Sequence, residues 1–362
     1  MTDFKKKMKK NREFKPTFVD SKDFSFIKGS YIKSRTPDKI NPVCREFVPS
    51  RDIKDEELID NGILNWRNEY PLSISIDSLE NKIICGDSKK SLECIPSNSI
   101  SCIITSPPYW NAVDYGFENQ IGMCSYKKYH DELLEVWREC ERVLIPNGKL
   151  CINSPVLNIS KKVINNQHTR HFKNINNDIE YIILENLNLL RYSVYIWNKV
   201  NTTEKMFGSY PYPPNMYERN EIEYISVYVK PGKPRVLDKK IKENSKVSCD
   251  EWIDLTRQVW NIRSEDVKRS IHPAPFPEEI PNRLISMYSF AECEEVFKGD
   301  IILDPFCGKG TTCLSAKKLG RRFIGIDLSP HFCLVSKKRI DEIVKDRKIF
   351  IVGKSMLPSS NG

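Results

Sequence analysis

Residues 301–312, Ile301-Ile302-Leu303-Asp304-Pro305-Phe306-Cys307-Gly308-Lys309-Gly310-Thr311-Thr312, decide the fold. Ile301 to Leu303 read as a buried strand. Pro305 ends it, because proline cannot donate a ladder hydrogen bond. Gly308 and Gly310 lack Cβ atoms, so the backbone there can come close to a ligand. A helical pattern follows and ends at Leu319-Gly320. A second strand, Phe323-Ile324-Gly325-Ile326, runs into Asp327, about twenty residues after the turn, where a doubly wound sheet places a carboxylate for a ribose diol. A glycine-rich loop alone says little. Strand, loop, helix, strand and acid in this order are specific. Gly308-Lys309-Gly310-Thr311 lacks the Lys-Ser/Thr step after a four-residue spacer, which argues against a nucleoside triphosphate.

A second stretch lies far upstream. Ile100-Ser101-Cys102-Ile103-Ile104 reads as a buried strand that runs into Thr105-Ser106-Pro107-Pro108-Tyr109-Trp110. Two prolines stop the sheet and leave a serine and an aromatic pair, read as exposed, at the strand's C-terminal end. Open α/β sheets bind ligands at that edge.

Composition sets outer limits. The 362 residues can bury one large α/β core plus appendages, and 40% apolar with 29% charged residues is ordinary for a globular protein. No apolar run is long enough to span a bilayer. Met1 to Lys15 carries lysines with no following apolar segment, so it does not read as a secretory signal. The 12 cysteines are scattered without zinc-ligand spacing, and no metal site is expected. Cys102, Cys151 and Cys313 fall in apolar runs and read as small core residues. A reduced, cytoplasmic setting is expected. The net charge of +9 permits a polyanionic partner without proving one.

Residues 1–70 read as a basic N-terminal extension, partly disordered; Lys5 to Lys10 is either a solvated tail or an arm that neutralises phosphates. Leu72 to Ile76 reads as a first strand or edge segment, and Lys82 to Asp87 as a strand ending in an acid. Ser125 caps a long helix from Tyr126 to about Ile145, whose apolar positions recur at three and four. Lys149 to Asn153 is the next strand, 156–175 a polar loop, and Ile175 to Leu190 a helix. Val194 to Trp197 and Tyr224 to Val229 read as a terminal strand pair around a rigid aromatic loop, Phe207 to Asn215. Residues 231–262 turn charged, with Lys239-Lys240-Ile241-Lys242 in the middle, and do not read as part of the sheet. His272-Pro273-Ala274-Pro275-Phe276-Pro277 leads into a helix from Glu278 to Ser289.

The Ser-Pro-Pro-Tyr motif coming first and the Asp-Pro-Phe-x-Gly-x-Gly loop coming last resembles the β class of DNA amino-methyltransferases, in the cytosine-N4 form. The resemblance covers roughly 80–345, with Gly86-Asp87-Ser88, Thr105 to Trp110, His272 to Pro277, Asp304 to Thr312 and Gly325-Ile326-Asp327. It implies a permuted Rossmann-like sheet, mostly parallel with a terminal antiparallel pair and helices on both faces. It divides the chain into the extension 1–70, a catalytic half at 71–230, a target-recognition insert at 231–262, a cofactor half at 263–350 and a tail at 351–362. The implied reaction is methyl transfer from S-adenosyl-L-methionine to N4 of cytosine in double-stranded DNA by base flipping, within a restriction system. N6 of adenine is the alternative, since Asp- or Asn-Pro-Pro-Tyr is the usual adenine form. A catalytically silent DNA-binding module is a remote one. A homodimer and a cognate endonuclease stand as further partners to test.

The resemblance also assigns roles. Ser106, Pro107, Pro108 and Tyr109 would handle the base, Tyr109 by stacking. Asp304 would meet the cofactor's ammonium group, Phe306, Cys307, Gly308, Gly310 and Thr311 would cradle its methionine part, and Asp327 would take the ribose hydroxyls. Asp87 would meet the adenine amine, and Pro275, Phe276 and Pro277 would pack near the methionine end. Plainer readings stand beside these. Asp304 caps a turn, Asp87 caps a helix, Phe276 is core, and His272 is structural. Tyr210 and Tyr212 either line a DNA cleft or stiffen a loop.

Overall fold

The structure, a computed structural model, describes residues 29–33, 45–49, 52–159, 171–202, 210–213, 216–265 and 277–343. Its strands, in chain order, are β1 (Gly29–Lys33), β2 (Arg45–Pro49), β3 (Leu64–Asn65), β4 (Lys82–Cys85), β5 (Ile100–Thr105), β6 (Val113–Asp114) and β7 (Leu144–Ile159). They continue as β8 (His171–Asn174), β9 (Leu190–Lys199), β10 (Ile222–Val229), β11 (Val259–Ile262), β12 (Ile301–Asp304) and β13 (Arg322–Asp327). The helices are α1 (Asp55–Asp60), α2 (Ile76–Leu79), α3 (Ser88–Glu93), α4 (Tyr126–Val143) and α5 (Ile175–Asn186). After them come α6 (Lys239–Asn244), α7 (Cys249–Leu255), α8 (Glu279–Tyr288), α9 (Thr311–Lys318) and α10 (Pro330–Asp341).

The main sheet runs β11-β9-β10-β7-β5-β12-β13-β4-β3. Along this path every pairing is parallel except the two that β10 makes. Period-two alternation explains why both faces are covered. Ile84, Ile103, Leu303 and Ile324 point into one apolar layer with α4 and α5. Ile83, Ile104, Ile302 and Phe323 point into the other, with α8, α9 and α10. In α4, Tyr129, Leu133, Val136, Trp137 and Cys140 form the buried stripe, and Ser125 accepts from Lys128 N–H as its cap.

The cleft follows from chain order. β5 leads through α4 to β7 on one side, while β12 leads through α9 to β13 on the other. β5 and β12 are nevertheless neighbours, with Ile302 opposite Cys102 and Leu303 opposite Ile103. Their connections diverge between them, which opens a crevice at their C-terminal ends. The motif strand precedes the cofactor strand in sequence, as expected of a permuted sheet.

Five expectations need correction. Residues 52–70 belong to the domain: Leu58, Ile63 and Trp66 are buried, and β3 pairs with β4. Further upstream, β2 pairs with β6 in the loop after the Pro-Pro motif. Leu72 to Ile76 is no strand; its end starts α2, capped by Ser75. The loop at 156–175 is flanked by a strand pair, because β7 continues past the sheet and pairs with β8. The strand pair β9–β10 is not terminal, and 231–262 is not wholly outside the sheet, since β11 adds in parallel to β9. Trp260 supplies the burial, stacked on Tyr195 at 4.5 Å.

Gly310 shows how tight the cofactor loop is. It caps α9 with φ at 75°, and a Cβ there would lie 2.0 Å from Ser336 Oγ on α10. Gly310→Ala combines left-handed strain with overpacking, so we expect a loss of about 2–4 kcal/mol, read from urea unfolding. An unchanged midpoint would show that the loop and α10 are not in contact.

Candidate active site

A cleft opens at the junction of β5, β12 and β13. Ser106, Pro107, Pro108 and Tyr109 form one wall; Phe306, Asp327 and Phe332 form the other, with Asp87 and Ser88 at the end of β4. The loop after the Pro-Pro motif contributes Ala112, Val113, Tyr115 and Phe117.

Asp327 ends β13 with its carboxylate fixed from both sides. Gly308 N–H donates to Oδ2 at 2.8 Å, and Ser329 N–H donates to Oδ1 at 2.8 Å. Gly308 thus serves the site through its backbone, at a φ of 50°. Burial pushes the Asp327 carboxyl up to about 6, against the two backbone donors that pull it down. Asp87 has two places in the structure. It caps α3 by accepting from Lys90 N–H at 3.1 Å, and it lines the cleft. Phe306 lies edge-on to Trp137, with ring centroids 6.2 Å apart, and reaches the cleft from that support.

Asp304, to which the resemblance gives the cofactor's ammonium group, is enclosed by protein. It is 1% exposed and stands behind the cleft wall. Its Oδ1 accepts from Thr105 Oγ1 at 2.7 Å and from Phe306 N–H at 3.1 Å. Burial raises its carboxyl to about 6. The turn-capping reading is the one this geometry realises, and the carboxylate shapes the loop from behind. Cys307, Gly308, Gly310, Thr311 and Pro277 likewise lie outside the cleft lining. Pro275, Phe276 and His272 lie outside the described residues.

Tyr109 and Trp110 are not an exposed pair. Trp110 is 8% exposed, packed edge-on to Tyr126 at 4.8 Å, and donates its indole N–H to Cys124 O at 2.8 Å. Only Tyr109 faces the cleft. Its hydroxyl is 2.7 Å from Ser106 Oγ and donates to Glu223 Oε2 at 3.2 Å. Asn153 Nδ2 donates to the same oxygen at 2.6 Å, and Lys199 Nζ pairs with Glu223 Oε1 at 2.6 Å. Burial and the Glu223 carboxylate push the Tyr109 phenol well up, so it keeps its proton. That proton is committed to Glu223, so Ser106 donates the 2.7 Å contact and retains lone pairs as an acceptor. Asn153, Lys199 and Glu223 were not singled out from sequence. Strand alternation buries Asn153 and Glu223, leaves Lys199 half-buried, and gives no sign that they converge on Ser106.

A match to the N6/N4 DNA methylase family model spans residues 100–338. A type II methyltransferase, M.MjaI of Methanocaldococcus jannaschii, is 32% identical over 76% of this chain and 96% of its own length. M.MthZI of Methanothermobacter thermautotrophicus is 30% identical over 69% of this chain and 74% of its own. A Thermus thermophilus protein, described as a DNA modification methylase and solved with S-adenosyl-L-methionine, superposes with a TM-score of 0.57 at 31% identity, over 71% of this chain and 92% of its own. The cytosine-N4-specific PvuII methyltransferase shares the fold, with a TM-score of 0.53 at 17% identity over 74% and 89% of the two chains. The cofactor is S-adenosyl-L-methionine, and the cleft fits it: one fixed carboxylate, aromatic walls and a polar end at Asp87 and Ser88.

The two buried carboxylates give separable tests. Asp304→Asn keeps an Oδ1 acceptor and removes a charge that burial disfavours. We expect it to be at least as stable as wild type at pH 8, with the difference shrinking as pH falls from about 6 to 4 and the wild-type carboxyl takes its proton. Asp304→Ala strands the Thr105 hydroxyl and should cost about 1–3 kcal/mol. A cofactor affinity lost in the Asn variant would instead restore the ammonium role. For Asp327, protonation removes an acceptor. Cofactor affinity measured by calorimetry should therefore weaken as pH falls through about 6, and this dependence should vanish in Asp327→Asn. An identical pH profile in the variant would remove Asp327 from the cofactor site. By these observations the chain belongs to the N6/N4 DNA methylase family and is an S-adenosyl-L-methionine-dependent DNA methyltransferase.

Proposed function

We propose that this chain methylates N4 of cytosine in double-stranded DNA, as the modification enzyme of a restriction–modification system with a cognate endonuclease. The observation that carries the base assignment is a neutral hydroxyl, Ser106 Oγ, at the cleft wall where the Ser-Pro-Pro-Tyr resemblance puts the target amine. The exocyclic amine of a paired base is out of reach inside the duplex, so the base leaves the stack, at a cost of a few kcal/mol. Tyr109 offers it a flat face. Its hydroxyl is held by Glu223, which keeps the ring from turning away.

An exocyclic amine is a weak nucleophile because its lone pair is delocalised into the ring. Ser106 Oγ accepts from that amine and favours the tetrahedral nitrogen that forms during attack. Asn153 backs this wall from outside the cleft lining, with its Nδ2 3.4 Å from Ser106 Oγ. S-adenosyl-L-methionine supplies an electrophilic sulfonium methyl. Phe306 and Asp327 would hold it on the opposite wall, and positioning across the cleft supplies much of the rate. The type II naming of the relatives supports the restriction-system reading.

Product DNA made by the purified protein should yield N4-methylcytosine on digestion and mass spectrometry. N6-methyladenine alone would overturn the base assignment and leave the family and reaction type standing. Ser106→Ala should lower kcat on the order of a hundredfold with cofactor affinity unchanged. A near-normal kcat would mean that the hydroxyl does not touch the amine.

A further inference from the structure

We infer that the duplex is held by the turn between β9 and β10, through Tyr210, Tyr212 and Met216, and that the basic stretch around α6 takes no part. This rests on the DNA methyltransferase assignment and says which surface meets the substrate.

The two segments lie at opposite edges of the sheet. β9 ends at Lys199 and β10 begins at Ile222, both at the edge that carries Ser106. The turn is tied to that edge: Lys199 N–H donates to Glu221 O at 2.8 Å, and Asn220 Nδ2 donates to Val156 O at 3.1 Å. Counting from β5 across β7 and β10 to β9, strand spacing sets the strand ends that carry the turn roughly 10–15 Å from Ser106. Base pairs stack about 3.4 Å apart, so a duplex with one base in the cleft covers that distance in roughly three or four steps.

The stretch after β10 runs the other way. Lys230 Nζ donates to Leu144 O at 2.8 Å, Arg235 pairs with Asp300 just before β12, and Asn244 Nδ2 donates to Glu292 O at 2.6 Å. All of these partners sit at the N-terminal edge, a strand's length away, on the order of 20 Å. Lys239, Lys240 and Lys242 are exposed there. Their charge cannot meet a duplex seated over Ser106. On this inference the first half of 231–262, to which the resemblance gives target recognition, does not meet the duplex.

The chemistry of the turn suits DNA. Tyr210, Tyr212 and Met216 are 69%, 74% and 71% exposed. Large apolar side chains grouped on one exposed turn mark an interaction surface. Pro211 and Pro213 alternate with the tyrosines and restrict the backbone that carries them. Aromatic faces stack on bases, and apolar side chains wedge between base steps that a flipped base has loosened.

The test uses the full chain and tritiated S-adenosyl-L-methionine with sheared chromosomal DNA from a strain lacking this enzyme. Label entering DNA with wild type establishes the reaction; no label at all would defeat the methyltransferase reading itself. Given label, Y210A/Y212A/M216A should raise KM for DNA at least tenfold while cofactor affinity by calorimetry stays at wild type. Y210F/Y212F, which keeps the ring faces, should stay within about threefold. K239A/K240A/K242A should leave both KM and its salt dependence unchanged. Should the triple variant fail to bind cofactor, Y212A alone carries the comparison, with an expected rise of threefold or more. A wild-type KM in Y210A/Y212A/M216A, or in Y212A where it carries the comparison, or a raised KM in the lysine variant, would overturn the inference.

Discussion

The hydrogen bond from Thr105 Oγ1 to Asp304 Oδ1 joins two residues 199 positions apart, and the site depends on it. It pins the C-terminal ends of β5 and β12 together at the point where their connections diverge. A matching bond from Ser101 Oγ to Asp300 Oδ1, at 2.7 Å, pins their N-terminal ends. Each hydroxyl satisfies a buried carboxylate that would otherwise be costly. With both ends fixed, the Ser-Pro-Pro-Tyr wall and the glycine loop face each other across a cleft of set width. Asp304 thus matters to both halves of the reaction while lying outside the cleft lining.

Much of this was readable from residue order. Ile301 to Asp327 gave the strand, loop, helix and strand because apolar periodicity and glycine placement act locally. Ser125 and the spacing of Tyr129, Leu133 and Trp137 gave α4 for the same reason. The misreadings arose where tertiary partners decide. Val259 to Ile262 is too short to declare itself a strand, and Trp260 finds its partner in Tyr195 only after folding. Leu58, Ile63 and Trp66 sit among charged residues and were hidden by them. The resemblance gives 231–262 target recognition, and neither it nor the charge of the segment says which edge of a sheet the segment follows.

The same limit applies to the chemistry. Ser106 and Tyr109 announce themselves through the Pro-Pro motif. Glu223 does not, because one acid in an apolar strand has no periodic signature. Its partners Lys199, Asn153 and Tyr109 come from three other segments of the chain. Together they hold a protonated phenol and leave the serine oxygen as an acceptor, a division of labour that no single motif encodes. Asp327 is similar: its position was legible, while its two backbone donors and raised pKa follow from burial at the end of β13.

The central claim is that one cleft between β5 and β12 carries the cofactor on its Asp327 wall and the base on its Ser106 wall. A crystal structure of the full chain with S-adenosylhomocysteine tests it most directly. The account requires the nucleoside in this cleft, with a ribose hydroxyl within hydrogen-bond distance of Asp327 and Tyr109 left free for a base. A nucleoside bound elsewhere, or one that occupies the Ser106 wall and leaves Asp327 without contact, would contradict it.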